Sequence, residues 1–141
     1  MKILDIILIS LTVITFTVTF IFFMDVVISG IRLHKDKYSY YINQHKTNVN
    51  KFIYSLIPPV ILIELFIKIH EGEWVTGILF TIHMWFVGIF LVSLFLMRLV
   101  WNGLNFPRIH RFLALLFCTS FAGLSISGSL LFYGIYPIIF K

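Results

Sequence analysis

GILFTIHMWFVGIFLVSLFLM, residues 77–97, is the stretch on which the fold turns. Its 21 residues carry no fixed charge, and His83 is the only ionisable side chain among them. An α-helix rises ~1.5 Å per residue, so a run of this length covers the ~30 Å hydrocarbon layer of a bilayer. Working outward, residues 6–24 form a second uncharged run of 19 residues, and 112–140 a third of 29. Residues 52–69 are almost as apolar but are interrupted by Glu64 and Lys68. The pattern predicts an all-α integral membrane protein, a four-transmembrane-helix bundle with spans near 4–29, 50–70, 77–101 and 110–138. These spans use nearly all of the 141 residues, so we expect one transmembrane domain over 1–141 and no soluble domain.

Composition agrees. Sixty per cent of the residues are hydrophobic and 12% charged, which excludes an ordinary soluble domain. The net charge of +5 would suit nucleic acid, but the basic residues flank the spans instead of forming a stripe, and we expect no nucleic-acid partner. Eight of the eleven Lys and Arg fall in two segments: Arg32, Lys35, Lys37, Lys46 and Lys51 in one, Arg98, Arg108 and Arg111 in the other. Lys2, Lys68 and Lys141 lie on the opposite side. By the positive-inside rule both basic segments face the cytoplasm of a multi-pass cell (plasma) membrane protein, and both termini face outside. The N-terminal run is too long for a signal peptide, carries Asp5 where positive charge is usual, and has no small-x-small cleavage site. It reads as a retained first span. Cys118 has no partner for a disulfide and sits inside the last span as a packing residue.

Polar residues within the spans divide into packing features and candidate ligands. Ser120, Gly123, Ser127 and Gly134 share one face of the last span, which predicts close approach of another helix. Thr12, Thr15 and Thr19 line one face of the first, where each hydroxyl can bond back to its own helix. Pro58-Pro59 interrupts the second span. The two rings remove amide donors, predict a kink, and free carbonyls near Tyr54 and Ser55 that must be satisfied inside the protein.

Ionisable groups at membrane depth are candidates for function. Glu64 lies six residues before His70, or ~9 Å deep at ~1.5 Å per residue, and His83 is expected at a similar depth on the next helix. Together with His70 and Tyr133 they outline an outer cluster of one carboxylate, two imidazoles and a phenol. Imidazole with carboxylate suits a transition metal such as copper, iron or zinc, so Glu64, His70 and His83 are metal candidates. Paired imidazoles also suit a haem iron. The alternative is an ion pair from Glu64 to Lys68 and a hydrogen-bonded, structural His83. On the cytoplasmic side His45 and His110 stand at the starts of the second and fourth spans, near Asp25, His34 and Arg98. With the guanidinium forks of Arg98, Arg108 and Arg111 they would hold a metal or a haem propionate, or else form a solvated interface. No phosphate loop, HExxH or Ser/His/Asp order is present, and we expect no enzyme.

A His opens the second span (Gln44-His45-Lys46), another lies near the next turn (His70), and a third sits in Phe80-Thr81-Ile82-His83. His110-Arg111 opens the last span, and Ser127-Gly128 and Phe132-Tyr133 follow. This spacing resembles the YozB/CtaM-like family of small bacterial membrane proteins. Val49 stands where that family has a methionine, and Phe112 where it has a second basic residue. The resemblance implies an accessory role in maturation of haem–copper terminal oxidases, beside other membrane proteins of a respiratory complex. Copper, iron or haem is the implied cofactor. Carried over, the resemblance singles out His45, His70, His83 and His110; with the residues' own chemistry, we expect His45, His110, Arg111 and Tyr133 to be cofactor-binding and His70, His83 and Glu64 to be metal ligands. Two rival classes remain open: a b-haem electron-transfer membrane subunit, and a structural subunit of a larger complex.

Overall fold

The computed structural model describes residues 3–35, 39–69, 77–101 and 107–139, and every element in them is a helix. In chain order they are α1 (Ile3–Lys35), α2 (Ser39–Ser55), α3 (Ile57–Ile69), α4 (Ile78–Trp101) and α5 (Pro107–Ile139). Four stretches are long and apolar enough to cross a membrane: Ile3–Leu33, Tyr40–Ile69, Ile78–Val100 and Arg108–Leu131. The second of these is α2 and α3 taken together. The helix of that span therefore begins near residue 40, not 50, and His45 lies within it instead of ahead of it. The polar residues of α2 extend an apolar helix beyond the hydrophobic run, which hydropathy alone does not register.

The chain forms two compact units, Met1–Gly72 and Glu73–Lys141. In the first, the 33-residue α1 packs along α2 and then α3. Its core is small: Leu8, Phe23, Phe52 and Phe66 are buried, and the rings of Phe23 and Phe52 lie 5.9 Å apart. In the second, α4 pairs with α5. Phe90 stacks on Phe117 at 5.0 Å and meets Phe121 at 5.7 Å, with Leu113 buried beside them. Elsewhere these helices present apolar side chains outward, among them Ile14, Phe20, Trp85, Phe95 and Leu115.

Small residues set how closely α4 and α5 approach. A Cβ added at Gly123 would stand 2.6 Å from Cδ1 of Phe86, so only glycine lets that ring lie against the α5 backbone. Ser93 of α4 and Ser120 of α5 are completely or almost completely buried, and each hydroxyl turns back to a carbonyl three residues earlier. The small-residue face expected of the last span is thus a packing face at Ser120, Gly123 and Ser127; the surroundings of Gly134 lie outside the described residues. At the start of α4, Gly77 has φ 103°, a left-handed conformation that side chains resist. Its carbonyl accepts from the Thr81 amide at 3.1 Å and the Thr81 hydroxyl at 3.2 Å, closing the first turn.

The break between α2 and α3 follows from the two prolines. Leu56 donates to Ile53 across a tightened turn at 3.3 Å, and the α-type bond from Val60 to Leu56 resumes at 3.4 Å. Pro59 has no amide proton for the carbonyl of Ser55, its partner in a regular helix. The replacement donor comes from the neighbouring helix: Oγ1 of Thr19, wholly buried on α1, lies 2.7 Å from that carbonyl. The same hydroxyl is 2.9 Å from the carbonyl of Thr15, so its single proton has two acceptors. Thr12 and Thr15 bond only within α1. One of the three threonines therefore repairs the proline break, and the others are local.

Thr19→Val removes that donor and should destabilise the protein by about 1 kcal/mol, the usual net contribution of such a bond. Pro59→Ala restores an amide facing Ser55, so Thr19→Val should cost clearly less in that background. A double-mutant cycle on unfolding in detergent reads this coupling.

Candidate functional site: paired serine–histidine clamps

Each unit holds one histidine in the same way. In the second, Nδ1 of His83 on α4 lies 2.9 Å from Oγ of Ser127 on α5. In the first, Nδ1 of His45 on α2 lies 3.0 Å from Oγ of Ser29 on α1. Both serines are buried, Ser29 at 4% and Ser127 at 4% exposure. Both are followed by glycine, within the repeated tripeptide Ile28-Ser29-Gly30 and Ile126-Ser127-Gly128. A Cβ on Gly30 would sit 3.3 Å from Cε1 of His45 and 3.8 Å from its Nδ1. On Gly128 it would sit 3.3 Å from Cε1 of His83 and 3.8 Å from its Nδ1. The serine holds one edge of the ring, and the glycine leaves room for its flank.

The serine proton decides the chemistry. A serine inside a helix can donate to the carbonyl a turn earlier. Ser127 does so to Gly123 at 2.7 Å, with Leu124 at 3.2 Å as a secondary acceptor. Ser29 does the same to Asp25 at 2.7 Å, with Val26 at 3.1 Å. With its proton on the backbone, Oγ meets the imidazole as an acceptor and Nδ1 carries the ring hydrogen; with the proton turned to the ring, Nδ1 is the acceptor instead. A neutral imidazole protonated at Nδ1 has its lone pair on Nε2. That tautomer is one of the two in which a histidine can ligate a metal, with its other nitrogen held by a hydrogen-bond acceptor.

The two clamps occupy different places in their hairpins. Ser29 and His45 are 16 residues apart and flank the 36–38 connection, near the closed end of the first hairpin. His83 and Ser127 are 44 residues apart, toward the open end of the second. Chain order is reversed as well: Ser-Gly precedes His in the first hairpin and follows it in the second. His45 is 8% exposed, whereas His83 is only half-buried.

The other expected site residues are distributed as follows. Glu64 is exposed on α3, as is Lys68 four residues on, and no ion pair joins them among the described residues. His110 is half-buried in the first turns of α5, next to the exposed Arg111. Arg98 and Arg108 are exposed at the α4 and α5 ends of the connection between those helices. Asp25 is exposed on α1, where its backbone carbonyl also accepts from Asn48 of α2 at 3.3 Å. His70 and the side chains of His34 and Tyr133 lie outside the described residues. Among the described residues, no three His, Cys, Asp or Glu side chains gather closely enough to cage a metal ion.

Ser29 and Gly30 are the residues that sequence reasoning overlooked. A lone serine in a helix draws no attention, but the recurrence of Ile-Ser-Gly in the first and last spans was a usable signal. Comparison with protein-family models, curated proteins and solved structures finds no match to this chain.

If the glycines serve the rings, substitutions there should act through them. Gly128→Val and Gly30→Val should each lower stability in detergent by about 1–3 kcal/mol, the usual range for overpacking. Gly88→Ala, with nothing within 4 Å of the added Cβ, should be neutral or slightly stabilising.

Proposed function

We propose that this chain is a multi-pass plasma-membrane accessory protein for maturation of haem–copper respiratory oxidases, holding a metal ion or haem through histidines inside its helices. The observation that carries this reading is the Ser127–His83 clamp, at 2.9 Å between α4 and α5. With the Ser127 hydroxyl donating to the carbonyl of Gly123, the imidazole offers Nε2 as its electron-pair donor, a state suited to an intramembrane ligand. The four apolar stretches and their outward-facing side chains support insertion as four transmembrane helices. The basic residues around 34–51 and 98–111 support placing both connections in the cytoplasm and both termini outside. In that frame His45 lies toward the inner leaflet and His83 toward the outer. Its partners are the bilayer and the membrane subunits of the oxidase, and the resemblance in histidine spacing supports this assignment.

Replacing His83 and His110 together with alanine should reduce oxidase activity in membranes by more than about tenfold, the scale on which metal-site support matters. Immunoblotting should still find the variant in the membrane fraction at wild-type level. Full oxidase activity in that strain would refute the assignment.

A second reading is favoured by one observation, the recurrence of the clamp in both hairpins. A b-haem electron-transfer subunit needs histidines held on its helices as axial ligands, and each hairpin holds one. Protein purified under that reading carries stoichiometric iron and a Soret band; colourless, iron-free protein dismisses it.

A further inference from the structure

Glu64 and Lys68 are the only fixed charges in the four apolar runs, 6–24, 52–69, 77–97 and 112–140. Both are exposed on α3 with Ile57 and Ile61, at intervals of four, three and four residues, so the four share one helix face. Pro59 and Phe66, on the opposite side, are buried. Exposed hydroxyls elsewhere are satisfied locally: Thr17, Thr119 and Ser129 each donate to a carbonyl of their own helix. A carboxylate has no such recourse, because it and the helix carbonyls are all acceptors. Lys68 lies one turn on, yet no ion pair joins the two among the described residues. Even a closed pair would leave most of the carboxylate's acceptor sites and the ammonium's donors directed at hydrocarbon. With Tyr40–Ile69 read as a membrane span, this face needs a cover that answers both charges.

No other apolar run of the chain has a fixed cation for Glu64 or an anion for Lys68, whereas a second α3 has both. We infer that this face of α3 is a dimer interface, covered by the same face of a second copy of this chain. A two-fold axis along the membrane normal keeps both copies in one orientation and sets the two α3 helices parallel. Lys68 stands four residues, ~6 Å, further along the axis than Glu64. Side chains lean toward the N-terminus of their helix, so the Lys68 stem descends to the level of Glu64 on the facing helix. Symmetry then gives two reciprocal ion pairs, and Ile57 and Ile61 meet their counterparts at seam positions. The inference rests on the membrane-span reading and is independent of the cofactor and of the oxidase role.

The full-length chain is tested in native membranes, in a Cys118→Ser background. Under mild oxidation Ile61→Cys should give a disulfide-linked dimer on a non-reducing gel. Leu115→Cys, exposed on α5, should give at least about tenfold less, because a disulfide needs Cα atoms within about 7 Å. Glu64→Lys and Lys68→Glu, each added to Ile61→Cys, should each lower the dimer yield about tenfold, since like charges then face each other. Co-expressed with different tags, those two variants should cross-link to each other at close to the parent yield. An ion pair within one helix cannot be rescued between two chains. Glu64→Gln, which keeps the shape and removes the charge, should give an intermediate loss, and carbonate washing checks that each variant remains inserted. Ile61→Cys cross-linking no better than Leu115→Cys would overturn the inference, as would inserted charge variants that fail to rescue each other. Wild-type protein released by carbonate would remove the membrane-span reading and the dimer with it. Inserted but monomeric protein would remove the dimer alone.

Discussion

A serine hydroxyl inside a helix has one proton, and here its destination governs both hairpins. With that proton on the carbonyl one turn back, Oγ of Ser29 or Ser127 meets the neighbouring helix as an acceptor. The imidazole that reaches it then donates from Nδ1, and Nε2 is left with the lone pair. The interaction joins two helices and selects a tautomer at the same time. It is strongest in the medium the four apolar stretches imply, where water is not present to compete for either group. The glycine that follows each serine completes the arrangement, because a side chain there would push against the ring flank.

The prolines of the second span pose the same problem in another form. In each case a polar group inside a helix needs a partner that its own helix does not supply, and an adjacent helix provides it. At Ser55 the carbonyl left without its amide partner receives Thr19; at His45 and His83 the imidazole receives a serine. Polar contacts of this kind, together with aromatic contacts such as Phe23–Phe52 and Phe90–Phe117, account for how each hairpin holds together. In a bilayer the outward-facing apolar surfaces would add little to that cohesion, since there an exposed leucine is already in an apolar solvent.

Much of the architecture was legible because hydrophobic length is additive along a chain. All four stretches, the break at Pro58-Pro59 and the packing face around Gly123 could be read directly. The start of the second span was not, because the polar residues of α2 prolong a helix whose apolar part begins later. Site residues were harder. His83 stood out as an ionisable group at membrane depth, His45 as a histidine at the start of a span and Ser127-Gly128 as a small-residue site, but Ser29 was missed because its importance lies in a contact 16 residues away. Glu64 drew attention by the same depth argument and is exposed on α3, where depth alone gave no information about direction.

The central claim concerns a proton, so the most direct measurement observes it. Solid-state nitrogen NMR of imidazole-labelled protein in bilayers, without added ligand, distinguishes Nδ1–H from Nε2–H. His45 and His83 should each appear as a single neutral tautomer protonated at Nδ1, and replacement of the matching serine by alanine should disturb only its own histidine. Resonances showing Nε2–H, or a mixture already present in the wild type, would contradict the account.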